Sequence, residues 1–353
     1  MTPLTSASLT SASLTSASPA AVPSTVPPAV PPAVPPGGLS VVVPAPAPAD
    51  ADDPYPAVVR AHSWQGYHCE SRLVRIPAPR LAPLLMIGGA FQRKETWGRF
   101  ERAFLAHMDV LTVDPPGWGA SDVLPDHHGV ALLADAVCHM MDERGIERVN
   151  LLGGSYGTAI AYRIAQRYPE RVARMVLVGT MTSIPGHARA AILRTLELLA
   201  ERRMAEYAES AVDILMNRDR LGSVAAGAKV RRFLLRRLTQ LPEAEAEQTY
   251  ANTRRLLSQE MIDTSCPPAA PTLVATGEYD SFTTPELCRE MAAACRESWF
   301  AEVLGADHML FLERTTELAD LATRFFADES LTGLPYCGRV ERIRSDRQPS
   351  RAG

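Results

Sequence analysis

The stretch "LLGGSYGTAIAY", residues 151 to 162, places three glycines around one serine, between an apolar run typical of a strand and an alanine-rich run typical of a helix. Gly153, Ser155 and Gly157 match the pattern G-x-S-x-G in the strand, sharp turn and helix context that this motif requires. Small residues are needed because the turn brings backbone segments close together, and we expect the serine in an unfavourable backbone region. A purely structural turn, or one that cradles a phosphate, is the competing interpretation.

A serine hydroxyl becomes a nucleophile only with a base in reach and an acid to orient that base. His308, in LGADHML, follows the last predicted strand, from where a loop can return to the sheet edge above Ser155. Asp280 lies in the loop that leaves the predicted strand PTLVATG. Glu278 competes with it but should point away, and Asp307 is adjacent to His308 and poorly placed to hold its imidazole. The sequence therefore predicts Ser155, Asp280 and His308 as a catalytic triad.

Negative charge that develops on a substrate oxygen requires hydrogen-bond donors, usually backbone N–H groups. One predicted donor is the N–H of Tyr156, the residue after the serine, at the positive end of the following helix. The other should come from the loop 88–91 after LLMI, and we favour the Ala90 N–H. Gln92 or Arg93 could also face the site, although solvated side chains are the favoured interpretation for both.

The order of elements indicates an α/β protein with a mostly parallel central sheet flanked by helices. Short apolar runs alternate with helical segments, the apolar runs being 81–89, 108–114, 148–154, 172–179, 271–277 and 299–305. The earlier segments AVVRAHSW and ESRLVRIP could form an antiparallel edge. From about 183 to 265 every periodic segment is helical, which predicts a helical cap inserted into the sheet domain.

The chain divides by composition into five segments. Residues 1–55 contain three copies of LTSAS and then VPPAVPPAVPP, which predicts a disordered tail rich in Ser, Ala and Pro. The core is expected over 56–182 and 266–328, on either side of the cap at 183–265. The polar, arginine-rich segment 329–353 is expected to be a flexible C-terminal tail.

Charge and hydropathy exclude several classes of protein. A net charge of −4 gives no reason to expect nucleic-acid binding. No window reaches the roughly 20 apolar residues of a membrane span, and no export signal precedes Arg60, the first basic residue, so the expectation is a cytoplasmic protein without membrane contact. The six cysteines lack CxxC pairs and predict free thiols, not disulfides or a metal site. The sequence carries no signal for an oligomeric state.

The cap is less informative than the core. Its apolar stripe, including Ile192, Leu196 and Leu199, favours packing against the sheet domain over a ligand wall. KVRRFLLRRL, residues 229–238, carries five basic residues that could receive an acyl carrier or a phosphorylated substrate. A solvated face balanced by glutamates at 243, 245 and 247 is the favoured interpretation.

Together these residues resemble the α/β-hydrolase superfamily, specifically its cap-bearing members with a catalytic serine. The resemblance covers roughly residues 57–328 and rests on DPPGWGASD (114–122), GGSYG, the G-x-x-D at 277–280 and the aspartate-histidine turn at 307–308. It departs at Gly88, where the family often has a histidine before the first oxyanion donor. That histidine usually supports loop structure, so its absence affects the prediction of Ala90 as an oxyanion donor more than the prediction of the triad.

The predicted triad implies hydrolysis through an acyl-enzyme, with no metal or organic cofactor. The abundance of Leu, Met and Ala favours an ester, thioester or lactone of a small, apolar substrate. Ser155 argues against the carboxylate-nucleophile epoxide hydrolases and haloalkane dehalogenases of the superfamily. The GGSYG elbow, residues 153–157, is also similar to that of proline-releasing aminopeptidases, but their HGGPG loop is missing. Three further hypotheses compete with ester hydrolysis: hydrolysis of a carbon–carbon bond beside a ketone, cofactor-free chemistry driven by His308, and ligand binding without turnover.

Overall fold

The computed structural model describes residues 55–344, so the predicted N-terminal tail lies outside the described residues except for Tyr55. The described strands form one sheet in the order β1-β2-β4-β3-β5-β6-β7-β8-β9. Their bounds are β1 (Ala57–Trp64), β2 (Tyr67–Val74), β3 (Leu84–Ile87), β4 (Val110–Asp114), β5 (Val149–Gly154), β6 (Val172–Val178), β7 (Thr272–Gly277), β8 (Glu297–Val303) and β9 (Cys337–Arg344).

The central strands, from β4 through β8, pair in parallel. β1 and β2 form an antiparallel hairpin, and β2 pairs antiparallel with β4. All four residues of β3 are buried, as expected for a strand covered on both faces. The predicted α/β class with a mostly parallel sheet is confirmed.

Helices cover both faces of the sheet. α2 (Val130–Glu143), α3 (Tyr156–Arg167) and α8 (Pro285–Ala293) pack on one face. α1 (Arg99–Phe104) and α10 (Thr315–Phe326) pack on the other, with the short α9 (Leu310–Glu313) before α10. The two buried clusters hold the strand ends in fixed positions, which is what a site built on those ends requires.

A helical insertion lies between β6 and β7, within the range predicted as a cap. It consists of α4 (Gly186–Ala200), α5 (Met204–Leu215), α6 (Gly227–Thr239) and α7 (Glu243–Ser258). Its own apolar cluster is formed by side chains of α4, α5, α6 and the start of α7, including Leu199, Tyr207, Val230, Leu234 and Leu238. The insertion therefore has a core of its own.

Helix α7 connects the insertion to the sheet domain through hydrogen bonds. The Arg255 side chain is buried and donates to the carbonyl oxygens of Leu124 and His128, each at 2.7 Å. Asn252, on the same helix, donates to the Gly117 carbonyl oxygen at 2.8 Å. A buried guanidinium is tolerated because carbonyl oxygens satisfy its donors.

The predicted flexible C-terminal tail is wrong for residues 337–344, which form β9. This strand pairs antiparallel with β8 and closes that edge of the sheet. Main-chain hydrogen bonds need no particular side chain, so a polar composition did not reveal it. Arg342 also stacks over the Trp299 ring at 4.9 Å and its Nη2 lies 2.6 Å from a Glu297 carboxylate oxygen, so the arginine that suggested a loose tail is used in pairing.

The described part of the chain has no helix with the length and apolarity to cross a bilayer. Each of the six cysteines carries a free thiol, and those at 69, 138, 288 and 295 are buried. Among residues 55–344, no cluster of three or more His, Cys, Asp and Glu side chains could hold a metal ion.

Candidate active site

Ser155 occupies the turn between β5 and α3. Its backbone has φ 47° and ψ −115°, a conformation that side-chain-bearing residues rarely adopt. The flanking glycines leave room for the turn: a Cβ at Gly153 would lie 2.7 Å from the Gly157 carbonyl oxygen, and a Cβ at Gly157 would collide with the Ile87 carbonyl oxygen. The strained turn is thus built by β5, α3 and the neighbouring β3 together.

The structure brings the three predicted side chains into one hydrogen-bonded chain. His308 Nε2 lies 3.0 Å from Ser155 Oγ, and His308 Nδ1 lies 2.9 Å from Asp280 Oδ2. Asp280 follows β7 and His308 follows β8, so both side chains come from loops at the carboxyl ends of neighbouring parallel strands. His308 and Asp280 are buried, whereas Ser155 is partly exposed.

Asp280 is oriented by its own loop. Its Oδ1 accepts the N–H groups of Phe282 at 2.9 Å and Thr283 at 2.7 Å, while its Oδ2 accepts the Thr283 hydroxyl at 2.6 Å and faces His308. Thr283 Oγ1 also lies 3.0 Å from His308 Nδ1. Thr283 is not among the residues predicted from the sequence; the available signal was a threonine three residues after an aspartate in a loop, a pattern of local side-chain to backbone bonding.

The surroundings of His308 favour its protonated form. Burial lowers the pKa of His308, but the charge of Asp280 and its hydrogen bond outweigh burial, and the pKa is raised above the ordinary value of 6.5. The arrangement can therefore accept a proton from Ser155 on Nε2 while Asp280 stabilises the resulting imidazolium.

The competing carboxylates lie away from the imidazole. Glu278 accepts the Gly305 N–H at 2.9 Å. Asp307 accepts the His308 backbone N–H at 2.8 Å and also the N–H of Asn217, in the helical insertion. Burial raises the pKa of Asp307 to about 6. Asp307 therefore contacts the main chain of His308 and the insertion, while Asp280 contacts the ring.

The two predicted oxyanion donors lie beside the serine. Tyr156 is the first residue of α3, where an N–H has no partner within the helix. Among the described residues, no hydrogen bond is donated by the Ala90 N–H. A Cβ at Gly89 would lie 3.0 Å from Ser155 Cβ, so the loop that carries Ala90 is in contact with the nucleophilic turn.

Gln92 supports this loop, a role that sequence analysis did not favour. Its Oε1 accepts the Gly89 N–H at 2.8 Å, and a Cβ at Gly88 would lie 2.7 Å from Gln92 Cβ. The space for a side chain at position 88 is therefore taken by Gln92, which accounts for glycine where the resemblance led us to expect histidine. Arg93 instead points towards Glu245, at 3.5 Å.

Gln92→Ala is expected to lower kcat for turnover at Ser155 on the order of tenfold with little change in KM, because a loosened loop would hold the predicted donor Ala90 less well. Arg93→Ala is the matched control and should retain kcat. Steady-state kinetics of both variants test this. Equal losses in the two variants, or a loss confined to KM, would contradict a role for Gln92 in placing Ala90.

Two cavities meet at Ser155. The larger, of about 370 Å³, lies under the helical insertion and is lined mainly by apolar side chains, among them Ile192, Ile214, Leu256, Met261 and Phe282. The smaller, of about 110 Å³, also reaches His308 and is lined by Phe233, Leu234, Phe311 and Leu312. Ala90 and Phe91 border both. A substrate carbonyl at Ser155 would have space on either side.

A second chain of serine, histidine and carboxylate lies at the other antiparallel edge of the sheet. His62 Nε2 lies 2.7 Å from Ser71 Oγ, and His62 Nδ1 lies 2.7 Å from Glu143 Oε2. Ser71 is 0% exposed, and its Oγ also accepts a hydrogen bond from Arg144 Nε at 2.8 Å. With no access for a substrate, this chain joins the β1–β2 hairpin to α2.

Comparison with known proteins agrees with the fold. The model of a family described as alpha/beta hydrolase fold matches residues 82–315. The chain belongs to this family. Its predicted membership of the α/β-hydrolase superfamily is thereby confirmed.

The curated relatives match over part of their length. A poly(3-hydroxyalkanoate) depolymerase of Ectopseudomonas oleovorans is 33% identical over 116 residues, 32% of this α/β hydrolase and 41% of the relative. A 2-hydroxy-6-oxo-6-phenylhexa-2,4-dienoate hydrolase of Comamonas testosteroni is 36% identical over 101 residues, 27% of this chain and 35% of the relative. The matched segment thus spans less than half the length of either relative.

Among solved structures, a thermophilic esterase from Thermogutta terrifontis superposes with a TM-score of 0.64 at 19% identity, over 78% of this chain and 98% of the esterase. At that identity the likeness shows the fold. The family match and the fold together place this chain in the alpha/beta hydrolase fold family.

Proposed function

We propose that this α/β hydrolase cleaves a carboxylic ester, thioester or lactone through an acyl-enzyme formed on Ser155. The observation that carries the proposal is the hydrogen-bonded chain of Ser155, His308 and Asp280 at the junction of two cavities. A nucleophile, a base and an orienting acid in mutual contact are the parts that acyl transfer requires.

The proposed mechanism uses this geometry. His308 Nε2 takes the Ser155 proton as Oγ attacks the substrate carbonyl, and Asp280 stabilises the imidazolium. The N–H groups of Ala90 and Tyr156 hold the oxyanion of the tetrahedral intermediate. The imidazolium then gives its proton to the leaving alcohol or thiol. Water attacks the acyl-enzyme in the same way and releases the acid.

The larger cavity supports a medium-sized apolar group on one side of the scissile carbonyl. A volume of about 370 Å³ lies in the range of small-molecule sites, about 300 to 1,000 Å³. Burial of an apolar group against walls such as Ile192 and Ile214 is favourable because it removes apolar surface from water. The substrate is therefore a small molecule, or a small acyl group on a larger one.

Hydrolysis of a carbon–carbon bond in a keto acid is the second candidate. It is favoured by the similarity to a 2-hydroxy-6-oxo-6-phenylhexa-2,4-dienoate hydrolase and by Arg189, which borders the larger cavity. The Arg189 guanidinium donates to the Leu257 carbonyl oxygen and has further N–H donors for a substrate carboxylate. The same serine, histidine and aspartate would serve this reaction.

A fluorophosphonate probe tests the proposal. The purified protein should acquire one adduct, located by peptide mass at Ser155, because a phosphonate captures a serine activated by histidine. Ser155→Ala protein should remain unlabelled while keeping the same thermal unfolding midpoint. Labelling at another residue, or none in folded protein, would remove the acyl-enzyme mechanism.

A further inference from the structure

Helix α6 carries a row of exposed residues along one side. Lys229, Arg232, Phe233 and Arg236 are exposed and follow one another at spacings of three, one and three residues, which places them on one side of the helix. Phe233 is 56% exposed, unusual for a large aromatic side chain. These four residues are called the α6 cationic face below.

The charges of this face are not neutralised within the described chain. Among residues 55–344, Lys229, Arg232 and Arg236 make no ion pair, whereas their neighbours Arg231 and Arg237 are both paired. The sequence favoured a face whose charge is balanced by the glutamates of α7. Among the described residues, however, none of those glutamates forms an ion pair with these three cations.

Two of those glutamates are directed elsewhere. Glu245 pairs with Arg237 and Arg93, while Glu243 pairs with Arg202. Cations on α6 that have no ion pair within residues 55–344 can therefore attract an external negative partner.

The α6 cationic face borders an opening to the candidate active site. Phe233 lines the smaller cavity, whose other walls include Ser155 and His308. Because Phe233 is both a wall of that cavity and an exposed residue, the cavity reaches the surface beside it. A chain threaded past Phe233 would therefore arrive at the serine.

Size and packing favour a protein as the occupant. Lys229 and Arg236 are seven residues apart, about 10 Å along the helix at about 1.5 Å per residue, more than one carboxylate or phosphate can span. The apolar side of α6, with Val230, Leu234 and Leu238, is buried in the insertion. It is not available to enter a bilayer, as an interfacial helix would require.

We propose that the α6 cationic face docks an acidic carrier protein, which delivers an acyl thioester on a flexible arm through the smaller cavity to Ser155. This inference rests on the proposed function. Ser155 Oγ attacks the thioester carbonyl, the carbon–sulfur bond breaks, and the thiol leaves with the proton held by His308. Water then releases the carboxylic acid, so the step needs no other co-reactant.

Two substrates with the same acyl group separate docking from chemistry. One is octanoyl thioester on an acidic acyl carrier protein; the other is octanoyl-N-acetylcysteamine, which lacks the acidic surface. We expect kcat/KM for the carrier-bound thioester to exceed that for the free thioester on the order of tenfold at low salt, and this advantage to disappear as salt screens the charges.

The double variant Arg232→Glu with Arg236→Glu should abolish the carrier advantage and leave hydrolysis of octanoyl-N-acetylcysteamine unchanged. Arg296→Glu is the matched control, because Arg296 is an exposed arginine without an ion pair among the described residues and precedes β8, at the end of the sheet opposite His308. It should keep the carrier advantage. Free-thioester turnover in the double variant also shows that the protein is folded.

The outcomes divide cleanly. If the free thioester is hydrolysed but the carrier gives no advantage, or the double variant retains it, docking is refuted and the proposed function stands. If neither thioester is hydrolysed by the wild-type protein, the thioester function itself fails. Binding to phosphatidylglycerol vesicles that the double variant loses, without a carrier advantage, would assign the face to a membrane surface and overturn the proposal.

Discussion

Ser155→Ala should lower kcat for an octanoyl ester by roughly 10⁴-fold or more, because the proposed acyl-enzyme forms on Ser155 Oγ and removal of a triad serine is among the most severe single losses known for acyl transfer. Binding in the larger cavity does not depend on the hydroxyl, so KM should change much less. Steady-state hydrolysis with purified variant and wild-type protein measures both quantities.

Ser71→Ala is the matched control, since it removes a second hydroxyl that is hydrogen-bonded to a histidine. We expect it to lower the thermal unfolding midpoint and to retain kcat. Ester hydrolysis by Ser155→Ala at more than a few per cent of wild type would refute the acyl-enzyme. Product formation from a ketone substrate that survives Ser155→Ala would instead support chemistry driven by His308.

Asp280→Asn should lower kcat about 10³ to 10⁴-fold while preserving the fold. The asparagine carbonyl oxygen can still accept the N–H groups of Phe282 and Thr283, which leaves its amide N–H₂ towards His308. A proton on His308 Nδ1 would face this amide as a second donor, which is unfavourable. The imidazole would therefore hold its proton on Nε2, the nitrogen that faces Ser155. That tautomer cannot accept the serine proton.

The same variant shifts the pH dependence of kcat/KM. In wild-type protein, kcat/KM should rise with pH through a midpoint above 6.5, because only neutral His308 accepts a proton and its pKa is raised. Asparagine removes the charge that raises this pKa, so any residual activity should have its midpoint at lower pH. Asp307→Asn serves as the control and should cause a much smaller loss of kcat, since Asp307 does not contact the ring; comparable losses would contradict the assignment of Asp280.

The sequence predicted those features that local patterns determine. The elbow around Ser155 follows from glycine spacing, and the positions of Asp280 and His308 follow from the rule that parallel strands bring their carboxyl ends to one edge. Membership of the family and the class of fold could be inferred for the same reason: several short motifs occur in the expected order.

Features that depend on contacts distant in sequence were not predicted. Gln92 became a loop support only because its side chain fills the space beside Gly88, and nothing in the local sequence specifies that rotamer. β9 forms through main-chain pairing with β8, which an arginine-rich composition conceals. The link between Asp307 and Asn217 joins segments 90 residues apart.

The two chains of serine, histidine and carboxylate in this protein bear on how enzymes are recognised from structures. A distance template for serine, histidine and carboxylate would match at both Ser155 and Ser71 within residues 55–344, each with good geometry. At Ser71 the three side chains have a structural role, because a guanidinium covers the hydroxyl and no substrate carbonyl carbon can approach it. Reactivity thus depends on whether a substrate can reach one side of the serine oxygen. A template that ignores access will identify a structural serine as a catalytic one.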